Sequence, residues 1–241
     1  MIVAGIDVGS LTAEAVILKN DELVAWCIIR TGSESAKTAL KALEVALAKT
    51  DIEQADIQYT VATGYGRVVV PFANKNITEI SCHAKGANWF FPKVRTVLDM
   101  GGQDCKAIRC NEVGKVKKFL MNDKCAAGTG RAMEVMAELL EVPLEDMGRL
   151  SLEIDGPPPP ISNTCVIFAK SEVLSLIRQG TPRNLVLAGL CEATANRIKT
   201  LLNAVGMEEE FMVSGGISKN IGIIRRIEEK MGVKANMCFE P

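Results

Sequence analysis

Residues 95–104 read Arg-Thr-Val-Leu-Asp-Met-Gly-Gly-Gln-Asp, an apolar run that ends on Asp99 and a pair of glycines. Such a run is typical of a buried β-strand, and the glycines end it. The chain opens in the same order, because an apolar run over residues 2–6 leads to Asp7 and then to a glycine. The two aspartates are 99 − 7 = 92 positions apart. This weak internal repeat predicts two similar halves that face one another across a cleft.

Elsewhere the apolar spacing alternates between the periods of strands and helices. Strands are predicted over residues 2–6, 14–19, 23–30, 59–63, 95–100, 105–109 and 211–214, and helices over residues 35–49, 81–90, 130–141, 169–179 and 185–205. A further helix is predicted to open at residues 218–220. We therefore predict an α/β protein of two lobes, the first over residues 1–93 and the second over residues 94–241.

The composition is that of a globular protein with no surplus of charge. Of 241 residues, 48% are hydrophobic and 24% are charged, and 28 Lys and Arg face 29 Asp and Glu. This balance excludes disorder as a main feature and argues against a nucleic-acid partner or a polybasic membrane surface. No apolar stretch approaches the roughly 18 residues of a membrane helix, so we expect no membrane association and a cytoplasmic location.

The eight cysteines and the single histidine limit the chemistry further. Without an export signal or a Cys-x-x-Cys pair, the cysteines are better interpreted as thiols, or a few as metal ligands, than as disulfides or a zinc ribbon. The lone His83 argues against a Ser-His-Asp triad. We interpret it as a capping or packing residue, because no partner for it is visible in the sequence.

Three glycine turns offer a place for phosphate. They follow predicted strands at residues 9–10, 101–102 and 215–216. A strand that ends in glycine before a helix exposes backbone N–H groups, which suit an anion. Asp7 and Asp99 are candidates to hold a hydrated Mg²⁺, which needs only one or two carboxylates besides phosphate oxygens. No Gly-x4-Gly-Lys-Ser/Thr loop occurs, which excludes a P-loop nucleotide site.

The order and spacing of three segments are informative: they are Gly5-Ile-Asp7-Val-Gly9-Ser10, Leu98-Asp99-Met-Gly101-Gly102-Gln103-Asp104 and Val213-Ser-Gly215-Gly216. They resemble the two phosphate motifs and the adenosine motif of the superfamily of actin, sugar kinases and heat-shock chaperone ATPases. The resemblance implies an actin-like (ribonuclease H-like) ATPase fold, with two similar lobes around a nucleotide cleft.

Four further segments narrow the resemblance: they are Ala62-Thr-Gly64-Tyr-Gly66-Arg67, Glu79-Ile-Ser-Cys82-His83-Ala84, Asn122-Asp-Lys-Cys125-Ala-Ala-Gly128-Thr-Gly130-Arg131 and Phe168-Ala-Lys-Ser171-Glu172-Val173. Together with Gly101-Gly-Gln-Asp104 they are similar to the ATP-dependent activators of 2-hydroxyacyl-CoA dehydratases. The ATPase subunits of benzoyl-CoA reductases share most of these motifs. The resemblance covers nearly the whole chain and is most specific around residues 99–131.

The resemblance implies a site for Mg²⁺ with ATP or ADP. Asp7 and Asp99 would act near the metal and hold it through water, and Gln103 would position the attacking water. The residues expected to bind the nucleotide are glycines and their neighbours: Gly9, Ser10, Leu11, Thr12, Gly101, Gly102, Gly128, Gly130, Gly215 and Gly216.

Only Cys125 and Cys165 stand at the positions that the resemblance marks for a [4Fe-4S] cluster, 165 − 125 = 40 residues apart. A cubane normally takes four thiolates, so two ligands per chain imply one cluster shared by a dimer. A homodimer is expected, and two related subunits would serve equally. The remaining cysteines are interpreted as small buried residues, with Cys105 a neutral occupant beside the second phosphate turn.

The function that the resemblance implies is that of a cytoplasmic ATPase of anaerobic metabolism coupled to electron transfer, a reductive activase. It would take an electron from ferredoxin or flavodoxin and pass it to an iron-sulfur dehydratase or reductase that acts on a CoA substrate. One alternative is a small-metabolite kinase of the same superfamily, with Asp104 as the base. Another is a non-catalytic, dimeric, nucleotide-binding sensor.

Overall fold

The computed structural model of the chain describes residues 1–122, 128–162 and 164–238. The chain divides into two compact units, Met1–Cys82 and His83–Pro241. The boundary predicted from sequence, after residue 93, would place the whole helix Glu79–Phe90 in the first unit, whereas here most of this helix belongs to the second. The predicted lobes stay a prediction.

The first unit is a five-stranded sheet with a helix packed on it. Alanines at every third or fourth position of this helix are buried, and their small side chains let the helix lie close to the sheet. The strand order is β3-β2-β1-β4-β5, with β1 antiparallel to β2 and parallel to β4. The elements are β1 (Ile2–Val8), β2 (Thr12–Lys19), β3 (Glu22–Arg30), α1 (Ser35–Leu47), β4 (Tyr59–Thr63) and β5 (Lys75–Asn76); α2 (Glu79–Phe90) follows and runs across the division.

Among its described residues, the second unit contains a second five-stranded sheet and five α-helices in addition to most of α2. Its central strand is buried along its whole length, which explains the nearly continuous apolar run that the sequence shows there. The strand order is β10-β9-β6-β7-β8. The elements are β6 (Thr96–Met100), β7 (Cys105–Cys110), β8 (Val116–Asn122), α3 (Gly130–Leu140), α4 (Met147–Leu150), α5 (Val166–Arg178), α6 (Arg183–Val205), β9 (Phe211–Ser214), α7 (Ile221–Met231) and β10 (Ala235–Asn236).

The two sheets repeat one topology. In each, a central strand is antiparallel to the strand that follows it and parallel to a strand that comes after an intervening helix. Asp7 and Asp99 occupy the same position, the last residue but one of the central strand. The structure thus confirms that the repeat found in the sequence is a repeat of structure.

Four elements were not predicted: β5, β8, β10 and the single turn α4. Three of them have two to four residues, too few for a periodic pattern. The fourth, β8, is an edge strand whose lysines face solvent, so that it lacks the apolar alternation of an inner strand. No described helix combines the length and the apolar character needed to cross a membrane.

Candidate functional site

The two phosphate turns predicted from sequence close in the same way. The Gly9 N–H donates to the carbonyl oxygen of Thr12 at 2.9 Å, and the Gly101 N–H donates to that of Asp104 at 2.9 Å. The donors are 101 − 9 = 92 positions apart, the same separation as between the two aspartates. Each turn therefore joins a central strand to its antiparallel neighbour with the same hydrogen bond.

The first turn is held from behind by the loop after β3. The Thr31 hydroxyl donates to the carbonyl of Gly9 at 3.0 Å, and the Thr31 N–H donates to the carbonyl of Leu11 at 2.9 Å. The predicted phosphate-binding residues of this turn, which are 9–12, are all half-buried. These hydrogen bonds hold the backbone of the turn against the loop after β3.

Each strand-end aspartate lies beside a glycine that follows the neighbouring parallel strand. Thr63 pairs with Asp7 in the register, and Gly64 follows it. A Cβ atom on Gly64 would lie 2.1 Å from Asp7 Oδ1 and 2.6 Å from a backbone oxygen, and Gly64 has φ +80°. Only glycine fits this position, because it combines the close approach with a left-handed backbone.

The second unit repeats this contact. Ser214 pairs with Asp99, and the next residue, Gly215, has φ +83°. A Cβ atom on Gly215 would lie 2.7 Å from Asp99 Oδ1. Glycine at this position therefore lets the backbone pass close to Oδ1 of Asp99, which a larger residue would prevent. Gly64 is the counterpart of Gly215, and its role was not predicted because the intervals from each aspartate differ: 64 − 7 = 57 and 215 − 99 = 116.

A buried lysine joins the two carboxylates of the second turn. Lys106 Nζ lies 3.3 Å from Asp99 Oδ2 and 2.5 Å from Asp104 Oδ1. All three side chains are about 5% exposed or less. Burial alone would lower the pKa of Lys106, but the two carboxylates outweigh it and raise the pKa above its ordinary value. Lys106 is therefore a fixed positive charge beside the candidate magnesium ligand, and no sequence pattern pointed to it.

His83 does have partners, which corrects its interpretation as a packing residue. From α2, its Nε2 approaches Asp99 Oδ2 at 3.3 Å and its Nδ1 approaches the Ser214 hydroxyl at 3.2 Å. Asp99 and Ser214 end adjacent parallel strands. His83 thus bridges the two strands immediately before their glycine turns, a contact that no sequence pattern revealed because Ser214 is far from the other two residues in the chain.

The second turn is hydrogen-bonded directly to the start of α3. The Gly130 N–H donates to the carbonyl of Gly101 at 3.0 Å, and the Arg131 N–H donates to that of Gly102 at 2.9 Å. These are N–H groups of the first helical turn, which have no partner within their own helix. Gln103 is exposed at the tip of the turn. Two predicted site segments, 101–102 and 128–130, are therefore brought together.

Cys105 adds a third contact to this junction. Its buried thiol donates to the carbonyl of Gly128 at 3.1 Å. Burial and then the neighbouring carboxylates raise the pKa of the Cys105 thiol far above its ordinary value. The thiol is consequently protonated and unreactive, and it acts as a hydrogen-bond donor rather than as a merely neutral occupant.

The third glycine turn leads into a helix, as predicted. After Gly215 and Gly216 the chain makes a short 3-10 turn, and Asn220 then caps α7 by accepting from the Ile223 N–H at 3.1 Å. The Ser218 hydroxyl donates to the carbonyl of Gly215 at 2.7 Å. A Cβ atom on Gly216 would meet nothing within 4 Å, so the backbone there is open to a ligand.

Cys165 is a half-buried free thiol at the N-cap of α5. Its carbonyl accepts the first helical hydrogen bond, from the Ala169 N–H at 3.0 Å. Two apolar residues of the first helical turn, Ile167 and Phe168, are 73% and 64% exposed. The other predicted cluster ligand, Cys125, lies outside the described residues.

The segments that flank the two cysteines meet at one cavity in the second unit. This cavity of about 30 Å³ lies among α3, α5 and α6 and is lined by Gly128 on one side and by Ser162 and Val166 on the other. Gly128 follows Cys125 by three residues, and Val166 is next to Cys165. The described residues on the C-terminal side of Cys125 and on both sides of Cys165 therefore line the same cavity.

Five other cysteines are less suited to bind metal. Burial raises the pKa of each of these thiols, which are Cys27, Cys82, Cys110, Cys191 and Cys238. Among the residues with a described structure, no group of three or more His, Cys, Asp or Glu side chains is placed to hold a metal ion.

The geometry agrees with comparisons to known proteins. Residues 4–241 match the sequence profile of the BadF/BadG/BcrA/BcrD ATPase family. The chain belongs to this family. The activator of lactoyl-CoA dehydratase from Anaerotignum propionicum is 45% identical over 94% of this chain and 87% of that protein. As a member of the BadF/BadG/BcrA/BcrD ATPases, the chain is an ATP-hydrolysing enzyme, as predicted from its sequence.

Two solved structures confirm the predicted actin-like fold of this ATPase. The activator of 2-hydroxyisocaproyl-CoA dehydratase from Clostridium difficile with bound ADPNP is 37% identical, with a TM-score of 0.94 over 100% of this chain and 90% of that one. Component A of (R)-2-hydroxyglutaryl-CoA dehydratase from Acidaminococcus fermentans is 38% identical, also with a TM-score of 0.94, over 99% and 92% of the two chains.

Proposed function

We propose that this ATPase is a reductive activator, which uses ATP to deliver low-potential electrons to a dehydratase or reductase that acts on a CoA substrate. The observation that carries the proposal is the junction between the second phosphate turn and the start of α3. Through the Gly130 and Arg131 N–H groups, a change in the turn would be passed to the helix that follows Cys125.

The nucleotide would be held by backbone groups. Residues 9–12 and the pair 101–102 would contact phosphates, Gly128 and Gly130 would support the second turn, and Gly215 and Gly216 would approach the adenosine. The ADPNP bound to the C. difficile activator supports ATP or ADP as the ligand, because that protein shares the fold throughout. Gln103, exposed at the tip of its turn, would orient the attacking water.

Mg²⁺ fits the carboxylates at the ends of the central strands. Asp99 presents Oδ2 to Lys106 and His83, while the backbone of Gly215 passes close to Oδ1. Asp7 has the same relation to Gly64. We infer that each carboxylate holds Mg²⁺ through water, because an ion that keeps its hydration shell needs no further protein ligand. When bound, the ion would neutralise charge on the phosphates during hydrolysis.

A [4Fe-4S] cluster fits the second unit as a group shared between two chains. Cys165 stands at a helix N-terminus, where the positive end of the helix dipole would favour the electron added to the cluster. When bound, the cluster would supply a one-electron redox centre. With two cysteine ligands per chain, a homodimer completes the set, and the exposed Ile167 and Phe168 would lie close to the two-fold axis.

The electron acceptor and donor of this ATPase are inferred from the activities for which its relatives are named. The named relatives activate dehydratases of 2-hydroxyacyl-CoA compounds, and one subunit of the benzoyl-CoA reductase of Thauera aromatica is 29% identical. We propose that the acceptor is an iron-sulfur enzyme of this class and that ferredoxin or flavodoxin donates the electron. The kinase alternative loses its candidate base, because Asp104 is 3% exposed and paired with Lys106 rather than directed at a substrate.

Replacing Asp99 with asparagine is expected to lower the rate of Mg²⁺-dependent ATP hydrolysis by at least about 100-fold, because the amide cannot attract the ion. Phosphate release from the anaerobically purified protein measures the effect. Asp155→Asn makes the same change in charge in an exposed loop and is expected to leave the rate unchanged. An Asp99→Asn rate within twofold of the wild type would remove Asp99 from the mechanism. Absence of hydrolysis by the wild type would favour the sensor alternative.

A further inference from the structure

The charge arrangement around Lys106 has a consequence for metal binding. Asp99 and Asp104 project from one hairpin into the interior of the second unit, and Lys106 returns from β7 to contact both. Two buried carboxylates this close require a cation, because neither is exposed enough for water to screen the other. Lys106 supplies that cation in the absence of any metal.

The same lysine therefore competes with Mg²⁺ for Asp99. A divalent ion beside Asp99 gains attraction from that carboxylate and suffers repulsion from the ammonium group bonded to its other oxygen. Asp104 offsets part of this repulsion, since it contacts the same ammonium group at 2.5 Å. The net charge of the Asp104–Lys106 pair thus determines how strongly the ion is attracted to the neighbourhood of Asp99.

We propose that Lys106 is a positioning residue that acts as a resident counter-ion of the second phosphate turn, and that it sets the Mg²⁺ requirement for nucleotide binding. It holds Asp99 through Oδ2, and it weakens the attraction of the site for free Mg²⁺. The turn keeps its conformation when no nucleotide is bound, and Mg²⁺ enters together with the phosphates that balance the lysine.

The test is the Mg²⁺ dependence of ADP binding, which needs no turnover. N-methylanthraniloyl-ADP at a fixed low concentration is titrated with MgCl₂, and its fluorescence gives the Mg²⁺ concentration at half-saturation. For Lys106→Met we expect this concentration to fall by about tenfold or more. A tenfold change corresponds to about 1.4 kcal/mol, which is within the interaction of a unit charge with a nearby divalent ion.

Matched variants distinguish an effect of the lysine's charge on Mg²⁺ binding from an effect of the substitution on folding. Lys117→Met makes the same change at an exposed position of the same sheet and is expected to leave the half-saturating Mg²⁺ concentration unchanged. Asp104→Asn is expected to raise it, because the lysine then repels the ion without compensation. The double variant Lys106→Met with Asp104→Asn keeps the net charge of the three side chains and is expected to return to within about threefold of the wild type.

A merely structural lysine gives a different result. In that case Lys106→Met would lower the melting temperature and either leave the Mg²⁺ requirement unchanged or raise it, and this would overturn the proposal. If Lys106→Met does not fold, the double variant is compared with Asp104→Asn, and equal Mg²⁺ requirements in the two would overturn it as well.

The role of Lys106 rests on the proposed function, and the two fail in different ways. If the wild-type protein does not bind the fluorescent ADP, or binds it equally well with and without Mg²⁺, the proposed Mg²⁺-nucleotide site is wrong, and so is the role of Lys106. Normal Mg²⁺ dependence in the wild type with no shift in Lys106→Met would reject the role of Lys106 alone.

Discussion

Replacement of Gly64 by alanine is expected to weaken nucleotide binding by at least about 100-fold, which corresponds to about 2.7 kcal/mol. The new Cβ would lie 2.1 Å from Asp7 Oδ1 and 2.6 Å from the carbonyl oxygen of Val8. Neither neighbour is the free end of a long side chain. Asp7 or the strand that carries it must therefore move, and the left-handed backbone at φ +80° adds a further cost of about 1 kcal/mol.

Equilibrium titration with fluorescent ADP measures this loss. Gly32→Ala is the control, because its Cβ would meet its nearest neighbour, the Thr38 hydroxyl, at an ordinary 3.5 Å. Circular dichroism establishes that both variants are folded. If folded Gly64→Ala binds the nucleotide as tightly as Gly32→Ala does, the position of Asp7 is not needed for binding.

The second large effect is expected at the cluster cysteines. Cys165→Ala should lose essentially all bound iron after anaerobic purification, because one thiolate per chain leaves a shared cubane with two of its four ligands. Loss of the bridging group should also turn the dimer into a monomer. Iron analysis and light scattering on the same sample measure the two effects, and Cys125→Ala should behave in the same way.

Cys238→Ala is the matched control, since Cys238 is likewise half-buried in the second unit and is not a predicted ligand. It should keep the iron content and the dimer of the wild type. Retention of iron in Cys165→Ala, or equal loss in Cys238→Ala, would contradict the assignment of ligands.

The fold could be predicted from the sequence largely because the same sequence pattern occurs at both central strands. An apolar run, an aspartate and a glycine recur 92 positions apart (99 − 7), and the structure gives both copies the same pairing and the same turn. The helices α1 and α3 bury residues at the three- and four-residue spacing of one helix face. In contrast, β8 is formed by pairing with β7 at an edge, and its own lysine-rich sequence does not indicate a strand.

The candidate site was predicted less completely, because part of it depends on contacts between distant residues. Asp7, Asp99 and the glycine turns stand next to strands and could be found by local pattern. His83 and Ser214 are 131 residues apart, and only the fold brings them together. Lys106 lies two residues from Asp104, but its burial follows from its pairing with Asp99 across β6 and β7, and the sequence alone does not distinguish it from an exposed lysine.

The proposed electron-transfer role of this ATPase is tested most directly by the iron and acid-labile sulfide content of the wild-type protein after anaerobic purification, with EPR of the dithionite-reduced sample. We expect about four irons and four sulfides for every two chains, together with the signal of a reduced cubane. Protein that binds Mg²⁺ and ATP but contains no iron and gives no such signal would show that this ATPase is not an iron-sulfur activator.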